Sequence, residues 1–128
     1  MCYVADMTSD GVHLIDGETF KEVGFIATGV AAHGLYPSRD GKSLYVANRG
    51  SHNIHGKRKG PGSVTVIDFS SNKVVANWPV AGGGRPGMGA GSNDGTWRWL
   101  SGRFDEVAAG VDPPTGKVWQ DNGRQQPP

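Results

Sequence analysis

Three segments of the chain repeat the same order of residue types. Each opens on an aromatic residue followed by an aliphatic one, as Tyr3-Val4-Ala5-Asp6, Tyr45-Val46-Ala47-Asn48 and Trp99-Leu100-Ser101-Gly102. A second apolar run follows and ends in an aspartate, and a lysine stands five positions later; these pairs are Asp16 and Lys21, Asp68 and Lys73, and Asp112 and Lys117. A chain that repeats in this way folds as a row of similar units, because each unit buries its apolar surface against its neighbours.

The spacing of these landmarks gives the size of one unit. Tyr3 and Tyr45 lie 42 residues apart, and Asp68 and Asp112 lie 44 residues apart. A period of about 40 to 45 residues is typical of repeats built from four strands. Asp16 and Asp68 are 52 residues apart, because an insertion at residues 49–62 replaces the short connection found in the first unit.

The residue types within a unit indicate β-strands joined by tight turns. Residues 64–67 are all β-branched, which suits a pleated strand and disfavours a helix. The 21 glycines and eight prolines of the 128-residue chain supply turn positions, and Asp40-Gly41 and Asp94-Gly95 predict hairpins of type I′. The second unit is therefore expected to hold four strands, at residues 32–38, 43–48, 63–69 and 73–80.

The middle unit resembles a known repeat. Three of its runs are similar to the YVTN-type β-propeller repeat: Leu44-Tyr45-Val46-Ala47-Asn48-Arg49-Gly50-Ser51, Val64-Thr65-Val66-Ile67-Asp68 and Asn72-Lys73-Val74-Val75-Ala76. The match is specific in the middle unit, recognisable in the first and degraded in the third. The resemblance implies an all-β fold of four-stranded antiparallel blades, within the bacterial or archaeal group of YncE-like and lactonase-like propellers.

The resemblance also implies a domain organisation. One propeller-repeat domain is expected over residues 1–120, with a partial blade at 2–28 that lacks its first strand, a complete blade at 30–81 and a degraded blade at 85–120. Residues 121–128 are expected to form a disordered tail. Two to three blades are fewer than the four to eight of a closed ring, which leaves two interpretations: a fragment of a longer propeller, or a chain that completes its ring by self-association.

Charge and composition exclude several classes of function. The chain has 13 Lys and Arg against 12 Asp and Glu, so its net charge of +1 gives no global attraction to nucleic acid or to an anionic membrane. No apolar run reaches the roughly 18 residues of a membrane-spanning helix. The single cysteine, Cys2, excludes an internal disulfide. The sequence leaves the compartment open, because relatives of full length are often exported and the first residues show no secretory signal.

Candidate binding residues gather at one end of the expected blades. In a propeller, the connections between blades and the connections from second to third strands emerge together. Five residues assigned to that end form a candidate ligand site, namely His33, Asn48, Arg49, Arg85 and Arg103. Because a guanidinium group can hold a carboxylate or a phosphate through two hydrogen bonds, the arginines there predict an anionic ligand. The alternative to a ligand site is a rim of solvated loops. His52 and His55 are weak metal candidates without a third ligand, so no metal and no cofactor is predicted.

The function that these patterns favour is non-catalytic. We expect a propeller-repeat module that offers a binding or scaffolding surface to a small anionic ligand or a protein partner, and no nucleic-acid partner. The alternative is a lactonase-like hydrolase, or a propeller subunit that supports the cofactor of an oxidoreductase, built on His33, Arg49 and Arg103. The candidate end offers bases and cations but few carboxylates, which disfavours acid and base catalysis there.

Overall fold

The computed structural model describes residues 1–50 and 62–79 together with their side chains, and residues 86–91, 98–102, 108–111 and 118–121 through their backbone. These residues form strands in three antiparallel sheets, which we call blades 1, 2 and 3. Blade 1 contains β1 (Cys2–Asp6), β2 (Gly11–Ile15) and β3 (Glu22–Ala27). Blade 2 contains β4 (Ala32–Pro37), β5 (Ser43–Asn48), β6 (Ser63–Asp68) and β7 (Lys73–Pro79). Blade 3 contains β8 (Pro86–Gly91), β9 (Arg98–Gly102), β10 (Ala108–Val111) and β11 (Val118–Asp121).

The strand order confirms the all-β fold class that the repeat predicts. Blade 1 has the order β1-β2-β3, and blades 2 and 3 each have four strands that pair in chain order. Blade 3 is therefore a complete sheet of backbone pairs, although its sequence match is degraded and residues 86–91 show no alternation of apolar and polar side chains. Its last strand ends at Asp121, which is the first residue of the expected tail. Residues 122–128 lie outside the described residues.

Blades 1 and 2 share one apolar core, which we call the inter-blade core. Blade 1 contributes alternate residues of its strands, and Val12, Leu14 and Ile26 are buried there against Val46 and Ile67 of blade 2. Alternation sends neighbouring residues to opposite faces of a strand, so the buried Tyr45, Val64 and Val66 form a second cluster on the far face of blade 2. Blade 2 is therefore apolar on both faces, as a sheet between two neighbours must be.

The repeated aspartate closes the turn between the last two strands of blades 1 and 2. Asp16 accepts a hydrogen bond from the backbone N–H of Glu18 at 2.8 Å, and Asp68 accepts one from the Ser70 hydroxyl at 2.6 Å. Each turn places the residue before the lysine in the left-handed region, with φ of 59° at Phe20 and 53° at Asn72. The five-residue step from aspartate to lysine thus reflects one turn geometry used twice.

Phe20 is poorly suited to the conformation that this turn imposes. A left-handed conformation costs an L residue with a Cβ atom roughly 1–2 kcal/mol, whereas asparagine and glycine adopt it readily. We expect Phe20→Gly to raise the free energy of unfolding by about 0.5–1 kcal/mol, measured by urea denaturation. Phe20→Ala removes the exposed ring but keeps the strain, so it serves as the control and should change stability little. Equal effects of both variants would contradict the assignment of strain to the backbone.

The turn at Asp40-Gly41 is not of type I′, so the sequence prediction was wrong at this point. A type I′ turn needs positive φ at both central residues, but only Gly41 of the pair has one, at 73°. The Gly41 N–H donates to the Ser38 carbonyl at 3.0 Å and the Ser38 N–H donates to the Ser43 carbonyl at 2.7 Å, which closes a longer loop. Within this loop Gly41 alone takes the left-handed conformation, and the Asp40 carboxylate accepts the Ser38 hydroxyl at 2.6 Å. Asp94-Gly95 lies outside the described residues.

Candidate functional site

The connection from blade 1 to blade 2 crosses the strand ends of both blades. The backbone N–H of Ala31 donates to the Asp10 carboxylate at 2.8 Å. The N–H groups of Arg49 and Gly50 then donate to the Ala31 and Val30 carbonyls at 3.0 and 2.9 Å. This confirms that the inter-blade connection and the connections from second to third strands lie together. We call this region, formed by Asp10, residues 28–31 and residues 48–50, the loop end.

Asn48 is the centre of a buried hydrogen-bond network at the loop end. Its side chain is fully buried. The amide oxygen accepts from the Thr28 hydroxyl at 3.0 Å, and the amide nitrogen lies 2.8 Å from the Thr65 hydroxyl and 3.2 Å from the Ser63 hydroxyl. Thr65 in turn donates to Asn77 at 2.7 Å. The network spans β5, β6, β7 and the inter-blade connection, so Asn48 holds blade 2 to the segment that enters it.

Gly29 allows the inter-blade connection to pass directly over this network. A Cβ atom at Gly29 would lie 2.8 Å from both the Asn48 amide nitrogen and the Ser63 hydroxyl oxygen. Both distances are shorter than any normal contact of a Cβ atom. Any residue larger than glycine would therefore displace the network, which gives one glycine of this glycine-rich chain a specific packing role.

The candidate residues Arg49 and His33 occupy different environments. The Arg49 side chain is 3% exposed, and its Nη1 lies 3.3 Å from the Met7 sulfur of blade 1. Met7 and Arg49 stand at the same repeat position, four residues after Tyr3 and Tyr45. His33 is exposed and lies where the pairing of β4 with β5 shifts by one residue. β4, the strand that carries His33, contacts β1 of blade 1 and β8 of blade 3, so it is the inner edge strand of blade 2.

The structure brings His33, Asn48 and Arg49 to the start of the insertion. Asn48 pairs with Ser63 across β5 and β6, which holds the two ends of the connection at residues 51–61 close together. The other candidates, Arg85, Arg103, His52 and His55, lie outside the described residues, so their assignment to the same site remains a prediction. Within the part of the chain that is described, no group of three or more His, Cys, Asp or Glu side chains is arranged to hold a metal ion.

A second polar cluster, which sequence reasoning missed as a site, lies across the strands of blade 1. The two ring nitrogens of His13 face two carboxylates, with Nε2 at 2.8 Å from Asp6 Oδ2 and Nδ1 at 2.5 Å from Glu22 Oε1. The Phe25 ring lies beside the imidazole, with the ring centroids 4.9 Å apart. The sequence interpretation assigned His13 only to a strand surface, because His13 aligns with Thr65 of the middle unit and its two partners lie on other strands.

The repeat register contains the signal that could have found this cluster. Asp6 stands at the position of Asn48, and His13 stands at the position of Thr65. The contact between Asp6 and His13 therefore repeats, with ionisable groups, the contact between Asn48 and Thr65. Blade 3 carries Gly102 and Ala109 at these positions, so the side-chain pair has no counterpart there.

The pKa values of His13 and Asp6 are shifted by their hydrogen-bond partners. Hydrogen bonds to Glu22 and then to Asp6 raise the pKa of His13 above its ordinary value. Hydrogen bonds from His13, Thr8 and Ser9 hold the pKa of Asp6 well below its usual range. In the protonated form both imidazole N–H groups donate to carboxylates, and one side chain then links β1, β2 and β3.

Because the pKa of His13 is raised by folding, its contribution to stability depends on pH with a defined sign. The contribution is fully present below the ordinary histidine pKa of about 6.5 and is lost as the pH rises through the raised pKa of the folded state. We expect the stability difference between the wild type and His13→Gln to shrink from pH 6 to pH 9 in urea denaturation. Glu22→Gln should lower the pKa of His13 in an NMR titration. An unchanged His13 pKa in that variant would contradict the arrangement.

Comparisons with solved structures show what this architecture is similar to. Hydrazine synthase from Kuenenia stuttgartiensis matches with a TM-score of 0.74 and 24% identity, over 92% of this chain and 32% of that one. The Dos1 propeller matches with a TM-score of 0.62 and 18% identity, over 84% of this chain and 26% of that one. The fold is that of β-propeller blades. A putative 6-phosphogluconolactonase from Bacteroides uniformis matches with a TM-score of 0.61 and 19% identity, over 92% of this chain and 35% of that one.

These likenesses establish the fold of the blades and no more. The chain spans about a third of the length of the hydrazine synthase chain and of the lactonase-like chain that it matches. No protein-family model matches the sequence, and no curated protein matches it. In the described residues, no helix is long and apolar enough to cross a membrane.

Proposed function

We propose that the chain is a non-catalytic propeller-repeat module that binds an anionic partner at its loop end. The observation that carries this proposal is the way the insertion of blade 2 is anchored. The Asn48 network and the hydrogen bonds from Arg49 and Gly50 to the inter-blade connection fix the start of the insertion, and the pairing of Asn48 with Ser63 fixes its end. A rigid base of this kind reduces the entropy that a binding loop loses when it engages a ligand.

The charge of the insertion indicates the chemistry of the partner. Residues 51–61 include Lys57, Arg58 and Lys59 and contain no aspartate or glutamate. Arg49 precedes this segment, and His33 is exposed at the start of β4, which pairs with the end of β5. Because cations and hydrogen-bond donors dominate, a carboxylate or phosphate group on a small molecule or on a protein surface is the partner we infer.

The proposal is tested by charge reversal at the two ends of the blades. The triple variant Lys57→Glu, Arg58→Glu and Lys59→Glu changes the loop end. The matched control Lys21→Glu, Lys42→Glu and Lys73→Glu makes the same change of charge in the turns at the opposite end. Binding of inorganic phosphate and of citrate is measured by calorimetry for both. We expect the first variant to lose binding and the control to retain it. Equal binding by both variants would overturn the proposal.

The arginines of the candidate site need a separate variant. Arg49 is buried, so its replacement by alanine is expected to change stability as well as binding. Arg103→Ala and Arg85→Ala are therefore each tested as single variants for phosphate and citrate affinity, with thermal unfolding as the control for folding. We infer from the repeat that Arg103 and Arg85 reach the same ligand, and unchanged affinity in both single alanine variants would remove them from the site.

One observation favours an enzymatic role as the second candidate. His33 is an exposed imidazole at the inner edge of the blades, and a lactonase-like protein is among the structures of similar fold. His33 lies at a shift in the pairing of β4 with β5, and such a shift can turn a side chain towards a site. The first strand of blade 3, β8, has a similar shift in its pairing with β9, so the shift is not particular to His33. Hydrolysis of a lactone that is lost in His33→Ala would replace the binding module with this alternative.

The subtype of the propeller is also an inference. The YVTN-type resemblance of residues 44–51 and 64–68 supports a place in the YncE-like and lactonase-like group.

A further inference from the structure

One residue of blade 1 holds the inter-blade connection at two points. The backbone carbonyl of Asp10 accepts a hydrogen bond from the Thr28 N–H at 3.0 Å. The Asp10 carboxylate accepts another from the Ala31 N–H at 2.8 Å. Thr28 and Ala31 are the first and last residues of the segment that crosses the loop end, so Asp10 fixes both ends of this crossing.

Ala31 adopts a backbone conformation that alanine rarely takes. Its φ is 61°, in the left-handed region, and the residue is fully buried. A residue with a Cβ atom stays in that region only where the surrounding contacts fix it there. Here its N–H donates to Asp10, and its carbonyl accepts the Arg49 N–H at 3.0 Å. Ala31 thus connects the Asp10 carboxylate to the residue at which the insertion of blade 2 begins.

The turn between β1 and β2 places Asp10 for these contacts. The Asp6 carboxylate accepts the N–H groups of Thr8 and Ser9 at 3.0 and 3.3 Å, which fixes the turn just before Asp10. Asp10 itself has a φ of 58°, a left-handed value that aspartate tolerates better than most residues. Blade 2 has Gly62 at the corresponding repeat position, so the blade itself does not require a carboxylate there.

We propose that Asp10 is a positioning residue of the loop end. Its carboxylate acts through Ala31 and sets the backbone of Arg49 and Gly50, from which the basic insertion continues. This inference rests on the proposed function, because the anionic partner is expected at that insertion. The described candidate residues of the site all belong to blade 2, so Asp10 makes blade 1 a contributor to the same site.

The test compares two variants of the 128-residue chain that make the same change of charge. Asp10→Asn keeps a side-chain oxygen that can accept the Ala31 N–H, whereas Asp10→Gly removes it. Asparagine and glycine both adopt the left-handed conformation, so neither variant adds backbone strain. Amide hydrogen exchange, measured by NMR, should become about tenfold faster at Ala31, Arg49 and Gly50 in Asp10→Gly, relative to the amides of β2. Asp10→Asn should exchange as the wild type does.

Asp16→Ala is the control for a general loss of stability. The Asp16 carboxylate accepts the N–H groups of Glu18 and Thr19 at 2.8 and 3.4 Å, in the turn at the opposite end of blade 1. Its loss should leave the exchange of the Ala31 amide unchanged. The proposal is overturned if Asp10→Gly exchanges like Asp10→Asn, or if Asp16→Ala accelerates the exchange at Ala31 as much as Asp10→Gly does.

A second readout connects the position of the backbone to the ligand. Binding of inorganic phosphate and of citrate to the two Asp10 variants is measured by calorimetry. We expect the affinity of Asp10→Gly to be several-fold lower than that of Asp10→Asn, which has the same charge. Equal affinities in these two variants would overturn the positioning role. A wild type that binds neither phosphate nor citrate would contradict the proposed function instead, and the exchange rates alone then decide whether Asp10 positions the loop end.

Discussion

Replacing Ile67 with alanine is expected to lower the free energy of unfolding by about 3–4 kcal/mol. Ile67 is fully buried on β6, in the inter-blade core that blades 1 and 2 share. Truncating a buried isoleucine to alanine removes apolar contacts and leaves a cavity, which typically costs roughly 2–5 kcal/mol. We place this variant above the lower end of that range because its neighbours come from two sheets, and the strand pairing of those sheets limits how far they can move to fill the space.

The measurement is urea denaturation followed by circular dichroism and by tryptophan fluorescence. Because the core is shared, both probes should report one transition in the wild type and in Ile67→Ala. Val75→Ala is the control, since this side chain is mostly exposed on β7 and its truncation should cost less than about 0.5 kcal/mol. Similar costs for the two variants would show that the inter-blade core does not hold the blades together.

Replacing Asn48 with alanine is expected to cost about 2–4 kcal/mol, for a different reason. The variant removes the partner of the Thr28 and Ser63 hydroxyls and one partner of Thr65, all at a position with no exposure. A buried polar group left without a partner costs roughly 1–3 kcal/mol, and here more than one group is affected. The entry of the chain into blade 2 should loosen as well, because Thr28 belongs to the inter-blade connection.

Asn77→Ala is the matched control for this prediction. Asn77 is the same residue type in the same network, but it is exposed on β7 and accepts only the Thr65 hydroxyl among the described hydrogen bonds. Water can replace that partner, so its loss should cost about 1 kcal/mol or less. The stabilities of the wild type, Asn48→Ala and Asn77→Ala are compared by thermal unfolding at one pH. If Asn48→Ala were no less stable than Asn77→Ala, the network would not stabilise the loop end.

The repeat pattern predicts the position of residues at the loop end but not their burial. The sequence placed Asn48 and Arg49 at the end where the inter-blade connection and the connection from β5 to β6 gather, and the structure shows them there. That a ligand binds at this end stays a prediction. The sequence could not show that both side chains are buried, because burial depends on residues 28–31 crossing over them, and Gly29 gives no sequence signal of that crossing. The binding hypothesis therefore shifts towards exposed groups near the same anchor, such as His33 and the cations of the insertion.

The repeat pattern does not predict the polar cluster on blade 1. Asp6, His13 and Glu22 are unremarkable in sequence, and each falls on a different strand. Their meeting depends on the register of two strand pairs, including a shift between Leu14 and Ile15 where β2 pairs with β3. A shift of one residue would send a side chain to the other face of the sheet. No pattern along the chain specifies that register to the residue.

The sequence by itself determined the repeat, its period of about 40 to 45 residues, the strands of blade 2 to within one residue among those described, and the end at which the connections gather. These features depend on residues close together or regularly spaced in the sequence, namely the alternation of apolar and polar residues, the turn residues and the spacing of the repeats. Only the tertiary structure decided which polar residues are buried in the Asn48 network, which polar residues meet across blade 1, and which faces of blades 1 and 2 pack together. Those features depend on contacts between strands and between blades, and such contacts are set by how the strands pair and how the blades pack rather than by the order of residues along the chain.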